Sequence, residues 1–231
     1  MATIITIANR KGGVGKSTTA FNLGFTYALQ KKNVCFLDLD SQANLSLLCN
    51  VDPISLEQFK EANVQALNSY VSILPATKRF SQLETEIQGM FDRNVYLKDE
   101  ILPKLPKMDY VIIDTPPALG ILNINALVVS DYVHVVVNAD SFAISGLVEM
   151  KQIIEQVQTI NPRLKSRIVL NASFKGRTFT DAAREALERD PDYTGIEIPH
   201  RQHVVNSNAM KRPALEAEEI LKPFTALAEL V

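Results

Sequence analysis

The sequence predicts an α/β fold with a single doubly wound, mostly parallel sheet flanked by helices. Short apolar runs alternate along the chain with stretches of helical period, and the runs are continuous and β-branched, as in parallel strands buried on both faces. Acidic and glycine-rich segments directly follow several runs, at the sheet edge where such folds bind ligands. The 231 residues, 46% of them hydrophobic, are expected to form one domain spanning residues 1–231.

Each element is placed by its own pattern, in chain order. The apolar runs predict strands at Thr3–Ala8, Val34–Leu37, Tyr70–Leu74, Tyr110–Ile113, Tyr132–Val137 and Arg167–Leu170, with a further candidate at Gly195–Ile198. The helical-period stretches predict helices at Lys16–Lys31, Phe80–Phe91, Leu122–Val129, Ile144–Thr159, Thr180–Arg189 and Ala214–Leu230. The segment from Pro53 to Asn68 has the weakest pattern for regular structure.

A glycine-rich loop follows the first apolar run and opens the first predicted helix, which is the context that a phosphate-cradling loop needs. Successive backbone N–H groups in such a loop form an anion nest, and the helix N-terminus adds partial positive charge. Lys16 would neutralise the β- and γ-phosphates of a nucleotide, and Ser17 would offer its hydroxyl to Mg²⁺. The candidate nucleotide-binding residues here are Lys11, Gly12, Gly13, Val14, Gly15, Lys16, Ser17 and Thr18.

Carboxylates follow two other apolar runs. Asp38 and Asp40 come directly after the second predicted strand, and alternate carboxylates at a strand end suit an ion and water site. Asp114 ends an apolar run and precedes a rigid turn with two prolines. A buried strand that ends on a carboxylate aims one negative charge at Mg²⁺, usually through water.

These three motifs together resemble the deviant Walker-A ATPases, a family that includes the ParA/Soj partition ATPases, MinD and the nitrogenase iron protein. The loop has the pattern K-G-G-x-G-K-[ST]-[ST], with an additional lysine, Lys11, before the glycines. The run D-L-D-S-Q-A-N from Asp38 resembles the first switch of the family, with Ser41 and Ala43 in place of the usual proline and glycine. The run D-T-P-P from Asp114 resembles the second switch, and the likeness covers nearly the whole chain.

The resemblance implies an ATPase that uses ATP and Mg²⁺ and hydrolyses ATP to ADP and phosphate. It implies that Lys11 and Lys16 contact the nucleotide, Lys11 across the interface of a dimer. It also implies that Asp40 positions or polarises the attacking water. The residues implied to hold or surround the Mg²⁺ ion are Ser17, Asp38 and Asp114.

Two strand ends further along the chain are candidates for contact with the nucleotide base. Asn171 and Pro199 match positions that lie beside the base in relatives. By that match Asn171 would hydrogen-bond adenine and Pro199 would pack on its face. Ordinary strand-end turns would give the same local sequences, so both interpretations stay open at this point.

The charge distribution favours an anionic partner. Residues 160–212 carry ten Lys/Arg and six Asp/Glu, a net charge of +4, in a chain whose total is −2. A solvated mixed-charge surface would give the same balance. In ParA/Soj sequences, an arginine of an A-R-T motif lies in a DNA-contacting surface, and Arg177 resembles it. The candidate DNA-binding residues are Arg177, Arg184, Arg189, Arg201, Lys211 and Arg212.

The leading interpretation is an ATP-dependent partition ATPase. By the resemblance, an ATP-bound homodimer binds DNA without sequence preference, and a ParB-like partner stimulates hydrolysis. The protein would position plasmid or chromosome cargo in the cytoplasm, in association with the nucleoid. The alternatives are a MinD-like ATPase that cycles on a membrane and a ParA-like ATPase that positions a protein cargo.

Other sequence features separate these classes. A MinD-like protein needs a basic amphipathic C-terminal helix, whereas residues 214–224 are acidic and interrupted by Pro223. Cluster chemistry of the nitrogenase type needs paired cysteines near the second switch, but Cys35 and Cys49 both precede it. Two cysteines without metal-site spacing indicate a reducing cytosol and no structural metal. The chain enters a strand at once and has no long apolar run, so neither a signal peptide nor a membrane span is expected.

Overall fold

The computed structural model describes residues 2–138, 143–173 and 178–231. Their strands are β1 (Thr3–Ala8), β2 (Val34–Asp38), β3 (Gln65–Ala66), β4 (Val71–Leu74), β5 (Tyr110–Asp114), β6 (Tyr132–Asn138), β7 (Lys165–Ser173) and β8 (Tyr193–Pro199). They form one sheet in the order β3-β4-β2-β5-β1-β6-β7-β8. All neighbours are parallel except the short β3, which is antiparallel to β4. The prediction of a mostly parallel sheet is confirmed.

Helices connect the strands. They are α1 (Lys16–Leu29), α2 (Asn44–Leu48), α3 (Leu56–Lys60), α4 (Phe80–Gln88), α5 (Ile121–Val129), α6 (Ala143–Gln158), α7 (Thr178–Leu187), α8 (Gln202–Ala209) and α9 (Glu218–Ala228). Between α4 and β5 the chain also forms 3₁₀ turns at Arg93–Val95 and Leu102–Lys104 and a π-helical turn at Leu97–Ile101.

Helices cover both faces of the sheet, as the side chains of its central strands show. Phe36 of β2 belongs to one apolar cluster with α1 and α9, whereas the next residue, Leu37, belongs to another with α4 and α5. Successive side chains of a strand point to opposite faces, so these clusters lie on opposite sides of the sheet. In β6, Val135 packs with α6 in a third cluster. The fold is therefore doubly wound, as predicted.

The C-terminal part of the chain holds helix α1 in place. The side-chain oxygen of Asn22 accepts a hydrogen bond from the N–H of Ala214 at 2.7 Å. The Tyr27 hydroxyl donates to the carbonyl of Ala228 at 3.3 Å, and the Tyr27 ring stacks on Tyr110 with the centroids 3.8 Å apart. Because α1 carries the glycine loop at its N-terminus, these contacts also fix the loop against the sheet.

Several short elements were not expected from the sequence. The weakly patterned stretch of residues 53–68 contains α3 and β3, and α3 begins with a capping box in which Ser55 and Gln58 exchange side-chain to backbone hydrogen bonds. Helices α2 and α8 were not predicted either, because each is too short to show a clear apolar period. Helix α4 ends at Gln88 rather than at Phe91, and the Phe91 side chain is fully exposed.

The structure shows no interruption at Pro223, because the last helix runs through it, within the predicted span Ala214–Leu230. Helix α9 begins at Glu218, later than the predicted Ala214, and continues through Pro223 to Ala228. A proline inside a helix removes one backbone hydrogen bond and costs about 3 kcal/mol or more. Burial of the apolar face of α9, with Phe224 only 1% exposed, offsets that cost.

Candidate functional site

The glycine loop between β1 and α1 is held by hydrogen bonds to the sheet. The Asn9 side chain accepts the N–H of Lys11 at 2.9 Å and donates to the carbonyl of Val136 on β6 at 2.6 Å. Gly13 and Gly15 have φ angles of +74° and +94°, which residues with a side chain rarely adopt. The shape of the loop therefore depends on glycine at these two positions.

Lys16 is the buried cation of the site. It is the first residue of α1, is 7% exposed, and donates from Nζ to the carbonyl of Lys11 at 3.3 Å. Burial lowers the pKa of the Lys16 amine, and the negative charges of Asp114 and Asp40 act in the opposite direction. Lys16 thus lies within electrostatic reach of two of the predicted acids.

Asp114, at the end of β5, is fully buried, and no group of the described residues makes a hydrogen bond to either of its carboxylate oxygens. Burial raises the pKa of Asp114 well above its usual range. The charge of Asp38, its register partner on β2, adds to this rise, whereas the Ser17 hydroxyl opposes it. A buried carboxylate without a partner is stabilised by a cation, and Mg²⁺ at nucleotide sites takes one or two carboxylates together with phosphate oxygens. The residues present fit a magnesium–nucleotide.

Asp38 is equally buried, but its oxygens have partners. One accepts the N–H and the hydroxyl of Ser46 on α2 at 2.8 and 2.7 Å, and the other accepts the N–H of Asp40 at 3.1 Å. Burial raises the pKa of Asp38 to about 6, against the effect of these hydrogen bonds. The Ser46 hydroxyl also accepts the N–H of Ala76 at 3.0 Å. Asp38 and Ser46 therefore tie α2 to the sheet.

Asp40 lies in a turn between β2 and α2 and is 7% exposed. Its Oδ1 accepts the N–H of Gln42 at 2.9 Å, and its carbonyl accepts the N–H of Ala43 at 2.8 Å. Ala43 has a positive φ of 56° and is buried, so it adopts the conformation that a glycine would take more easily. Hydrogen bonds close the turn although the usual proline and glycine are absent.

These groups border one cavity of about 570 Å³ at the carboxyl ends of the central strands. The loop forms one side, and the unpredicted helices α2 and α8 form the other. The bordering residues are Gly12, Gly13, Gly15, Lys16, Ser17, Thr18, Asp40, Gln42, Asn44, Leu47, Leu48, Pro117, Asn208, Ala209 and Lys211. The cavity thus brings together the predicted phosphate loop and Asp40, while Asp38 and Asp114 lie buried beneath it.

Two contacts at the α8 side of the cavity were not expected from the sequence. The Asn208 amide nitrogen donates to the Thr18 hydroxyl at 3.0 Å, and the Lys211 amine donates to the side-chain oxygen of Asn50 at 2.5 Å. Lys211, predicted as a DNA contact, is exposed and also borders this cavity, so its contact with DNA stays a prediction. No local pattern around residues 206–211 pointed to these contacts.

Neither of the two predicted base contacts is among the residues that border this cavity. The Asn171 amide nitrogen donates to the carbonyl of Val14 at 2.7 Å, and a side chain at Gly15 would collide with that amide. Asn171 therefore holds the loop in this structure. Pro199 ends β8. Contact of either residue with a nucleotide base stays a prediction.

The predicted DNA-binding residues do not form one uncompensated patch in the described part of the chain. Arg177 lies outside the described residues. Three of the other arginines make ion pairs: Arg184 with Asp181 and Glu197, Arg189 with Glu185, and Arg201 with Glu219. Arg212 borders a separate hollow beside the C-terminal end of α1.

The doubly wound sheet, the glycine loop at the start of α1 and the carboxylates after β2 and β5 define the class of P-loop ATPases. A family model described as "AAA domain" matches residues 2–166. The chromosome partitioning protein ParA of Myxococcus xanthus (strain DK1622) is 34% identical over 202 residues, which cover 82% of this chain and 71% of that protein. The chain therefore belongs to the ParA/MinD-type ATPases.

Solved structures share the fold. A plasmid partition protein of Borrelia burgdorferi B31 bound to AMPPNP has a TM-score of 0.82 and 24% identity, covering 97% of this chain and 98% of that one. Cobyrinic acid a,c-diamide synthase of Mycobacterium smegmatis, with bound ADP and magnesium, has a TM-score of 0.80 and 26% identity, covering 91% and 93%. Nucleotide and magnesium binding thus occur on this fold.

Proposed function

We propose that this protein is an ATP-dependent partition ATPase of one domain. Its ATP-bound homodimer binds DNA without sequence preference and positions plasmid or chromosome cargo at the nucleoid in the cytoplasm. A ParB-like partner stimulates the Mg²⁺-dependent hydrolysis of ATP to ADP and phosphate. Family membership supports the ATPase class, and the site supports the roles of individual residues.

The observation that carries the proposal is the unpartnered carboxylate of Asp114 buried beneath the phosphate loop. A carboxylate in this position costs stability unless a cation compensates it. Lys16 supplies one positive charge nearby, and Mg²⁺ bound to phosphate oxygens would supply a second. Ser17 and Asp38 adjoin the same point from α1 and β2.

The chemistry then divides between binding and hydrolysis. The loop N–H groups and Lys16 bind the β- and γ-phosphates. Asp40, on the cavity rim, orients the attacking water; it is not needed to hold the phosphates. Lys11 contacts nucleotide across the dimer interface, and its backbone carbonyl already accepts from Lys16.

DNA binding is supported by the charge balance of residues 160–212 and by the family likeness of Arg177. The experiment is a salt titration of duplex DNA binding with ATP. It compares the parent, Arg177→Ala and Arg163→Ala, since Arg163 is exposed near the opposite end of β7. Loss of Arg177 from both protomers would release about two fewer counterions, so the salt slope would flatten by roughly two units. Arg163→Ala should match the parent.

The same preparation separates the alternatives. Among the described residues, no helix is long and apolar enough to cross a membrane. Sedimentation with anionic vesicles containing phosphatidylglycerol should leave the ATP-bound protein in the supernatant. ATP-dependent sedimentation without DNA binding would favour membrane cycling. DNA binding unchanged in Arg177→Ala would move the DNA surface elsewhere.

A further inference from the structure

The nucleotide cavity extends beyond the phosphate loop to helices α2 and α8. Its volume of about 570 Å³ lies within the range of about 300–1,000 Å³ that small-molecule pockets occupy. Leu47 and Leu48 border it from α2, and Asn208 and Ala209 border it from α8. Asn44 at the start of α2 and Lys211 just beyond α8 border it as well. The apolar side chains and amides of this half suit the nucleoside half of a nucleotide, which the phosphate loop does not contact.

Asn208 presents an unused hydrogen-bond acceptor in that half. Its amide nitrogen donates to the Thr18 hydroxyl at 3.0 Å, a contact that spans 190 positions of the sequence. Its side-chain oxygen is buried and has no hydrogen-bond partner within residues 2–138, 143–173 and 178–231. A buried acceptor is costly without a donor, so a ligand that brings a donor to this oxygen would gain affinity. Since the amide nitrogen is the atom that contacts Thr18, the oxygen is the unused atom of the side chain.

We propose that Asn208 selects the nucleotide by accepting a hydrogen bond from its nucleoside half. The proposal rests on the proposed function, because it takes the cavity to be the ATP site. The donor is either a ribose hydroxyl or the exocyclic amine of adenine. A phosphate oxygen does not fit, because ionised phosphate accepts hydrogen bonds and the Asn208 oxygen has no proton to give.

The same helix provides a matched control. Asn206 lies two positions earlier, is exposed, and does not border the cavity. Its side-chain oxygen accepts from the Gln202 amide at 3.1 Å, so its acceptor is already used. Replacing Asn206 by alanine removes the same chemical group from the same helix without touching the nucleotide site.

The experiment is calorimetric titration with Mg²⁺ and four nucleotides: ADP, 2′-deoxy-ADP, 3′-deoxy-ADP and purine riboside diphosphate, which lacks the amine. The parent should bind ADP about fivefold to tenfold more tightly than at least one analogue, the usual effect of one lost hydrogen bond. That preference should disappear in Asn208→Ala and persist in Asn206→Ala. The analogue concerned identifies the donor as ribose or amine.

Three results would overturn the proposal. One is equal affinity of the parent for all four nucleotides. The second is a preference for ADP over the analogue that survives in Asn208→Ala. The third is an equal loss of affinity for all four nucleotides in Asn208→Ala, which would mean that Asn208 only supports Thr18. Thermal unfolding without nucleotide checks the fold, and the nearly isosteric Asn208→Leu replaces the alanine variant if that one unfolds. A parent that binds neither ADP nor ATP would instead refute the proposed function.

Discussion

Two charged regions of this molecule are built in opposite ways. Beneath the cavity, Asp114 is fully buried and unpartnered, with Lys16 and Asp38 close by. On the flank, where α7 meets β8, Arg184 and Glu197 are only partly buried and make a two-point ion pair. The first region is incomplete without a ligand, whereas the second is complete in itself. The contrast indicates which charges serve binding and which serve the fold.

The largest expected effect is on ATP binding by Lys16→Ala. The Lys16 amine would form a buried ion pair with the phosphates of ATP. Removal of one partner of such a pair costs about 3–5 kcal/mol, so the affinity for ATP should fall roughly 100-fold or more. Calorimetric titration with a non-hydrolysable ATP analogue and Mg²⁺ measures it. Lys32→Ala, an exposed lysine just beyond the other end of α1, should bind as the parent does. If Lys16→Ala binds the ATP analogue as tightly as the parent does, the buried charges beneath the cavity do not serve ligand binding.

Asp40→Ala should separate binding from hydrolysis. Loss of a group that orients water lowers turnover about 10²–10⁴-fold, while the loop and Asp114 still hold the magnesium–nucleotide. Single-turnover hydrolysis measures the rate, and sedimentation velocity should show an ATP-bound dimer that persists. The control is Asp52→Ala, which removes an exposed carboxylate. If Asp40→Ala loses ATP binding instead, its role lies in holding the ligand.

Asp114→Asn should stabilise the nucleotide-free protein. Burial raises the pKa of Asp114 in the folded state. At neutral pH the carboxyl therefore ionises more readily in the unfolded state, which favours unfolding. Stability of the parent therefore falls as pH rises above the unfolded pKa of about 3.9. Asparagine does not ionise, so Asp114→Asn should be more stable than the parent by about 1–3 kcal/mol at pH 7. The difference should be smaller near pH 4.

Urea unfolding at pH 4.5 and 7.5 without nucleotide measures that difference. Asp99→Asn, at an exposed position, should show no gain at either pH. With ATP and Mg²⁺ the parent should be more stable than Asp114→Asn, because only the parent binds the magnesium–nucleotide tightly. A variant that is less stable than the parent at both pH values would mean that Asp114 has a structural partner.

The smallest effect is expected on the flank. Arg184→Ala removes ion pairs in which the Arg184 side chain is 33% exposed, and such pairs contribute about 1 kcal/mol or less. Arg189→Ala, which removes a pair that is 78% exposed on the arginine side, should change stability by less. Urea unfolding ranks the two variants. A loss at Arg184 as large as that of a buried pair would show that the flank ion pair contributes as a buried pair does.

The sequence predicted those parts of the site in which the functional residues directly follow or end a strand. The glycine loop follows β1, Asp40 follows β2 and Asp114 ends β5, so each motif carries its own structural context. Parallel strands then bring the three together at one edge of the sheet. Their placement needed no knowledge of long-range packing.

The parts that sequence could not predict depend on contacts between distant segments. Asn208 meets Thr18 across 190 positions, and Lys211 meets Asn50 across 161. Neither the spacing of these residues nor the sequence around them predicts that they are in contact. Helix α9 continues through Pro223 for a related reason, since the burial of its apolar face against α1 outweighs the local cost of the proline. Tertiary packing decided these positions.

The hold of the last helix on α1 has a consequence for fragments of this protein. The family match ends at residue 166, and a fragment of that length would keep every motif residue of the phosphate loop and both switches. It would also lose Ala214, Ala228 and the apolar face of α9, leaving Phe21 and Tyr27 of α1 facing water. Such a fragment should be expressed as aggregate. Residues 2–166 therefore carry the motif residues, and the remainder of the chain covers the apolar face of the helix that holds them.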